Sequence, residues 1–178
     1  IALQLETPWY IKDVQFKAAG KIHGQLDIYL DFPAGAKFPD ETGAACSVHD
    51  TKTKTWRHLD FFQHICYLHA RVPRIKTTAG AVRQVEVPWA RPNCGFTLLF
   101  EAFAMFLIEC EMPVSNAAKI LKVYAPRLWR IFNHWVGHAR QRVDLAGLHK
   151  IGIDETSTRR GHNYVMLSVD LDKRRVVF

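Results

Sequence analysis

Asp154 and Glu155 close the apolar run Ile151-Gly152-Ile153, and a second β-rich run follows from Tyr164 to Val169. A buried strand that ends in acid puts hard oxygen donors at the rim of a sheet, where a divalent cation could be held for chemistry at phosphorus. The same residues are also ordinary formers of turns at strand ends, and both readings stand on the residues alone. Ile151 and Ile153 are expected to be buried. Successive strand residues point to opposite faces, so Asp154 and Glu155 do not share a ligand position, and Asp154 is the candidate. Between the runs lies a polar loop around a glycine, Thr158-Arg159-Arg160-Gly161-His162-Asn163. Asp170-Leu171-Asp172-Lys173 is a tight turn into Arg175-Val176-Val177-Phe178, and its carboxylates are read as turn residues.

Soft donors form a second set. Cys46-x-x-His49 and the trio His64, Cys66, His69 are the residues here with metal-ligand chemistry. His64 and Cys66 fall on one strand face and His69 on the other, so the trio cannot converge without a bulge. These side chains read better as core and as contacts to phosphate. The four cysteines are widely spaced with no CxxC, which points to reduced thiols.

The third set is basic. The 178 residues carry a formal charge of +7, which favours polyanionic partners through long-range attraction and counterion release. Between Thr51 and Arg91 the bases are Lys52, Lys54, Arg57, Arg71, Arg74, Lys76, Arg83 and Arg91, against only Asp60 and Glu86. Lys119, Lys122, Arg127, Arg130, Arg140 and Arg142 form a second cluster, interleaved with Tyr124, Trp129, His134 and Trp135. A composition 48% apolar and 23% charged is that of a soluble globular chain. Glu101, Glu109 and Glu111 interrupt the best apolar run before it reaches the ~20 residues of a membrane span. No secretory leader is visible, so the expectation is a cytoplasmic protein without a membrane partner.

The elements that position these residues follow from periodicity. Residues 1–37 read as a β-hairpin, with Leu26, Ile28 and Leu30 on one face and Tyr29 opposite. Residues 38–91 read as a small β-rich module, and Pro88-Trp89-Ala90-Arg91-Pro92 as a linker. Residues 92–147 read as three helices: Phe96 to Glu111, Val114 to Leu121, and one starting at Pro126 and continuing towards Val143. Two helices, a short turn and a third with basic and aromatic side chains at its beginning form the layout of a helix-turn-helix reader. Its candidate DNA contacts are Tyr124, Arg127, Arg130, Asn133 and His134, with Lys119, Lys122, Arg57, Arg71 and Arg74 around them. A plain three-helix bundle, with Leu128, Ile131, Phe132, Trp135 and Val136 as core, leaves that exposed set unexplained.

The run IGIDETSTRRGHNYVMLSVDLDKRRVVF resembles the start of the catalytic domain in bacterial insertion-sequence transposases of the ISL-three type. Thr55-Trp56-Arg57-His58-Leu59-Asp60 and Arg83-Gln84-Val85-Glu86-Val87-Pro88-Trp89-Ala90-Arg91 resemble that family's N-terminal region. The resemblance implies an α+β, multi-module chain: a small β-rich N-terminal module, a three-helix helix-turn-helix domain, and, over residues 148–178, the first strands of a ribonuclease-H-like catalytic domain. It also implies a DDE enzyme in which three carboxylates hold Mg²⁺ or Mn²⁺, with Asp154 matching the first of them. The partner implied is double-stranded DNA at the ends of the insertion sequence, with a homo-oligomer in the complete transposase.

The family's β-rich module resembles a zinc ribbon with one knuckle of ligands before its first strand and one after its second. Here those places hold Phe38-Pro39-Asp40-Glu41-Thr42-Gly43 and Lys76-Thr77-Thr78-Ala79-Gly80-Ala81, with neither cysteine nor histidine. A degenerate ribbon that has lost its zinc is expected. No residue stands in for the second and third catalytic carboxylates, and the chain opens without methionine, so an excerpt or a truncated frame, inactive alone, is also expected. A non-enzymatic DNA-binding module, a regulator or transposition inhibitor, is the reading from another class.

Overall fold

The computed structural model describes residue 3 and residues 5–19, 23–159 and 163–177. Two compact units divide the chain, residues 1–132 and residues 133–178.

The first unit is built on a six-stranded sheet: β1 (Tyr10–Ala19), β2 (His23–Asp31), β3 (Lys37–Pro39), β4 (Ala45–Phe61), β5 (His64–Lys76) and β6 (Val82–Gln84). The order is β1-β2-β5-β4-β3, with β6 also on β5. The β4–β5 hairpin is the spine of the sheet. Residues 1–37 are not a separate hairpin, because β2 runs parallel to β5 from Gln25↔Ile65 to Leu30↔Ala70. One face of these strands is apolar, with Leu30, Trp56, Leu68, Ala70 and Val72 in the core. Trp9, Phe32, Phe38, Trp56 and Trp89 pack there largely edge to face, at centroid distances of 4.9–5.8 Å.

The opposite face carries carboxylates that are buried and fully partnered. Asp27 accepts from Lys17 Nζ at 2.9 Å and faces His69 Nε2 at 2.8 Å. His69 Nδ1 in turn lies 2.9 Å from Thr55 Oγ1. Asp31 accepts from Arg71, Lys12 and the Phe32 amide. Burial pushes both acids up, but these donors outweigh it and hold both below the ordinary carboxylate range.

Helices α1 (Leu98–Glu109), α2 (Val114–Ile120) and α3 (Ala125–Gln141) follow. The segment expected to be a linker is core instead: Trp89 and Ala90 are buried, and the Leu98 amide donates to Trp89 O. Thr97 caps α1 through its hydroxyl to the Phe100 amide, and that hydroxyl also meets His58 Nδ1 at 2.9 Å. Arg57 bonds Gly95 O and the Thr97 amide through its backbone. Glu101 is fully buried and takes Arg91 Nε on both oxygens and Cys94 Sγ on one. Sheet and helix are therefore joined by satisfied polar groups as well as by packing.

The second unit holds the rest of α3 and an antiparallel meander, β7 (Ile151–Arg159), β8 (Asn163–Asp170) and β9 (Arg175–Val176). Asp154 does not end a strand. It lies mid-strand opposite Leu167, because Thr156 and Ser157 continue the ladder onto Val165 and Tyr164. Ile151 and Ile153 are exposed, not buried, since a three-stranded sheet by itself leaves apolar side chains on its surface. Residues 160–162 of the polar loop lie outside the described residues.

Removing the buried acid should cost most. Glu101→Ala is expected to lower unfolding free energy by about 3–5 kcal/mol by stranding Arg91, against ~1 kcal/mol for loss of the Thr97 cap in Thr97→Ala. Urea denaturation of both variants checks the order.

Candidate nucleic-acid interface

The turn between α2 and α3 is short and fixed. Leu121 closes α2, Lys122 takes the left-handed φ of +54°, and the Val123 amide donates back to Ala118 O at 3.0 Å. Lys122 Nζ reaches Asp60 Oδ2 and Gln63 O, both at 3.3 Å, which pins the turn to the tip of the β4–β5 hairpin.

Beyond the turn, Tyr124 immediately before α3 and Arg127 and Arg130 within it recur three residues apart, on one side of its start. All three are exposed, Tyr124 by 76%. Leu128 and Ile131 supply the buried side. The Arg127 guanidinium lies 4.3 Å from the Phe96 ring centroid, a cation–π contact that orients it. Lys119 is exposed on α2. Among the described residues, Lys119, Arg127 and Arg130 make no ion pair.

The bases of the sheet are placed differently. Arg57 is buried, bonded to His58 O, Cys66 O and Asp60, with its guanidinium 5.6 Å from the Tyr67 and Phe100 ring centroids. That position removes it from any duplex surface. Arg71 is held by Asp31, which Lys12 shares, and Arg74 by Asp50, so both are engaged in ion pairs within the sheet. Asn133 and His134 belong to the second unit, where His134 packs against Trp135 and His138.

The remaining candidates separate by chemistry. Asp154 shares its face of β7–β8 with Gly152, Thr156, Val165, Leu167 and Val169, while Glu155 and Asp170 fall on the other face. Asp170 is a turn residue: the Lys173 and Asp172 amides and Arg175 hold its carboxyl below the usual range. Cys66 is buried in the sheet, and that burial raises its thiol to about 11. His69 belongs to the Asp27 network. Among the described residues, no three His, Cys, Asp or Glu side chains are grouped to hold a metal.

A compact helix-turn-helix, carried on a sheet whose long hairpin is flanked by two short ones, is the architecture of a nucleic-acid reader. Residues 85–136 match the family model described as the helix-turn-helix domain of transposase family ISL3, and residues 43–76 match the zinc-finger of transposase IS204/IS1001/IS1096/IS1165. Transposases for insertion sequence element IS1557 from Mycobacterium tuberculosis strains CDC 1551 / Oshkosh and ATCC 25618 / H37Rv are each 30% identical over 127 residues, 70% of this chain. The chain spans 28% of the length of these relatives. No solved structure matches. The chain bears the zinc-finger and helix-turn-helix domains of ISL3-type transposases. No helix among the described residues is long and apolar enough to cross a membrane.

The zinc-finger match implies zinc in the β-rich module, and the donors do not fit it. The two turns at the open end of the long hairpin, residues 40–44 and 77–81, offer one aspartate, one glutamate and threonines, with no thiolate or imidazole.

Three residues that matter to the first unit were not read from the sequence in the roles they have. Thr97 had a signal, an N-capping threonine directly before an apolar helical run. Glu101 and Asp40 had none, since their partners lie in other segments.

His58 gives the unit a pH dependence. Burial, with Arg57 beside it, holds its imidazole below the ordinary 6.5. The unfolded chain therefore takes up the proton first as pH falls, and stability is lost from about 6.5 downwards towards the folded value. Thermal midpoints should fall between pH 7 and pH 5, and His58→Gln should flatten that slope.

Proposed function

We propose that this chain serves DNA transposition by recognising the ends of its own insertion sequence, with the start of α3 in the major groove of the duplex. The observation that carries this reading is the unpaired basic set on α2 and α3, Lys119, Arg127 and Arg130 with exposed Tyr124, beside sheet arginines that are already paired with carboxylates. Arg127 and Arg130 have the bidentate fork that reads guanine O6 and N7, and Lys119 suits phosphate. Asn133 and His134, which belong to the second unit, are kept as candidate DNA contacts in this proposal. Arg57, Arg71 and Arg74 support the sheet and do not touch DNA in this proposal. The complete transposase, as a cytoplasmic homo-oligomer on DNA, would cut and join strands.

In the same proposal the β7–β9 meander opens a ribonuclease-H-like catalytic domain, and Asp154 is the first of its carboxylate ligands for Mg²⁺ or Mn²⁺. When bound, such ions activate the attacking oxygen and stabilise the leaving one. Among the described residues Asp154 is the one acidic donor on its face, so no cleavage step is assigned to these 178 residues. The alternative reading is a DNA-binding regulator in which Asp154 has no catalytic part.

Arg130→Ala should weaken duplex binding, by ~1–3 kcal/mol on cognate ends if the arginine reads a base edge, or equally on all sequences, with a salt slope shallower by roughly one unit, if it contacts phosphate. Arg127→Ala should lower the thermal midpoint as well, because it also removes the contact to Phe96. Arg71→Ala should leave affinity unchanged. Titrations over a range of salt check all three, and an Arg130→Ala variant with unaltered affinity and slope would remove α3 from the interface. Asp154→Asn should leave end binding intact while abolishing strand transfer by the complete transposase. Strand transfer that survives it would remove Asp154 from the catalytic ligands.

A further inference from the structure

The two turns that bracket the long hairpin are built alike. In residues 40–44 the Gly43 amide donates to Asp40 O at 2.9 Å, and the Asp40 amide to Ala44 O at 2.9 Å. In residues 77–81 the Gly80 amide donates to Thr77 O at 2.8 Å, and the Thr77 amide to Ala81 O at 2.8 Å. Gly43 and Gly80 both have φ of +83°, a conformation that strains any side chain. Each turn closes a short hairpin, β3–β4 or β5–β6, and the two face each other because β4 begins where β5 ends, at Val48↔Ile75. These are the places where a zinc ribbon holds its ion.

One side chain bridges them. Asp40 Oδ1 accepts from the Thr42 amide at 2.9 Å, the Thr42 hydroxyl at 2.6 Å and the Ala44 amide at 3.1 Å, all in its own turn. Asp40 Oδ2 accepts from the Thr78 amide at 3.1 Å and the Thr78 hydroxyl at 2.9 Å in the other turn, and Cys46 Sγ lies 3.7 Å away. A carboxylate has about four lone-pair sites, and charge-assisted bonds of this kind are roughly twice as strong as neutral ones.

We infer that Asp40 takes the structural place of zinc in this chain: its carboxylate, instead of an ion, ties the two turns of the ribbon together. The chemistry is coherent on both sides. A metal centre needs donors converging on a cation, whereas here amide and hydroxyl donors converge on an anion. Threonine, which cannot ligate zinc as a thiolate does, supplies on each side the hydroxyl that an anion needs. Structural zinc is indispensable where a module is too small to bury a core. Here Phe38, two residues before the turn, packs with Trp9 and Phe32, so the strands beside β5 supply burial that an isolated ribbon lacks.

The test is backbone amide exchange on the 178-residue chain and on Asp40→Asn, with zinc content and thermal midpoint measured beside it. Exchange should quicken at least about tenfold at Thr42 and Ala44 and also at Thr78, 38 residues away in sequence. The unaltered chain should carry no stoichiometric zinc, and a chelator should not move its midpoint. Unchanged exchange at Thr78 would reduce Asp40 to a local turn residue and overturn the inference. One tightly held zinc per chain, whose removal lowers the midpoint, would overturn it as well. If Asp40→Asn does not fold, Thr42→Val and Thr78→Val each delete one hydroxyl donor and leave the carboxylate. Their effects on the midpoint should be non-additive through the shared acceptor, and strict additivity would sink the proposal.

Discussion

Glu101 is a carboxylate at zero exposure on the first turn of α1, and the placement of the helices on the sheet follows from how it is satisfied. An ionised acid in that position is tolerable only with converging donors, and Arg91 and Cys94 from the preceding segment provide them. That demand fixes residues 89–97 against both layers: Trp89 enters the aromatic core while the backbone at 95–97 brackets Arg57. The reader is consequently not tethered to the sheet but set on it, and Lys122 adds a second fixing point at the hairpin tip.

Charge in this protein is divided by layer. On the sheet, acids and bases alternate across neighbouring strands, Lys17 with Asp27 and His69, Arg71 and Lys12 with Asp31, Arg74 with Asp50, and most of the positive charge there is spent on the fold. On α2 and the first turns of α3, Lys119, Arg127 and Arg130 make no ion pair among the described residues, so their charge is left for a partner. A formal charge counted along a chain does not distinguish these two uses.

Patterns with a strict period were legible in the sequence. The alternation of residues 25–32 put Leu30 in the core and Asp27, Tyr29 and Asp31 on the other face, and the three helices appear within a few residues of where their apolar spacing ends. What was misjudged depended on distant partners. Prolines 88 and 92 looked like punctuation, yet the tryptophan between them fills the core. Arg57 looked like a surface base, although an arginine flanked by Trp56 and His58 can be drawn inward when carbonyls and Asp60 await it. Apolar content dropped after Ile153, but backbone pairing carried the strand on through threonine and serine, which fit a pleated edge well.

The parallel pairing of β2 with β5 sets an order of assembly. The β1–β2 hairpin is local and can close early, but its inner edge finds its mate only after some forty further residues have been made and the β4–β5 hairpin has formed. Until then that edge, with Leu26, Ile28 and Leu30 alternating along it, is an open template for another strand. Docking of β2 on β5 is therefore the step at which a nascent chain is committed either to itself or to a neighbour. Crowded synthesis should punish a slow β4–β5 hairpin more heavily than a weak helix.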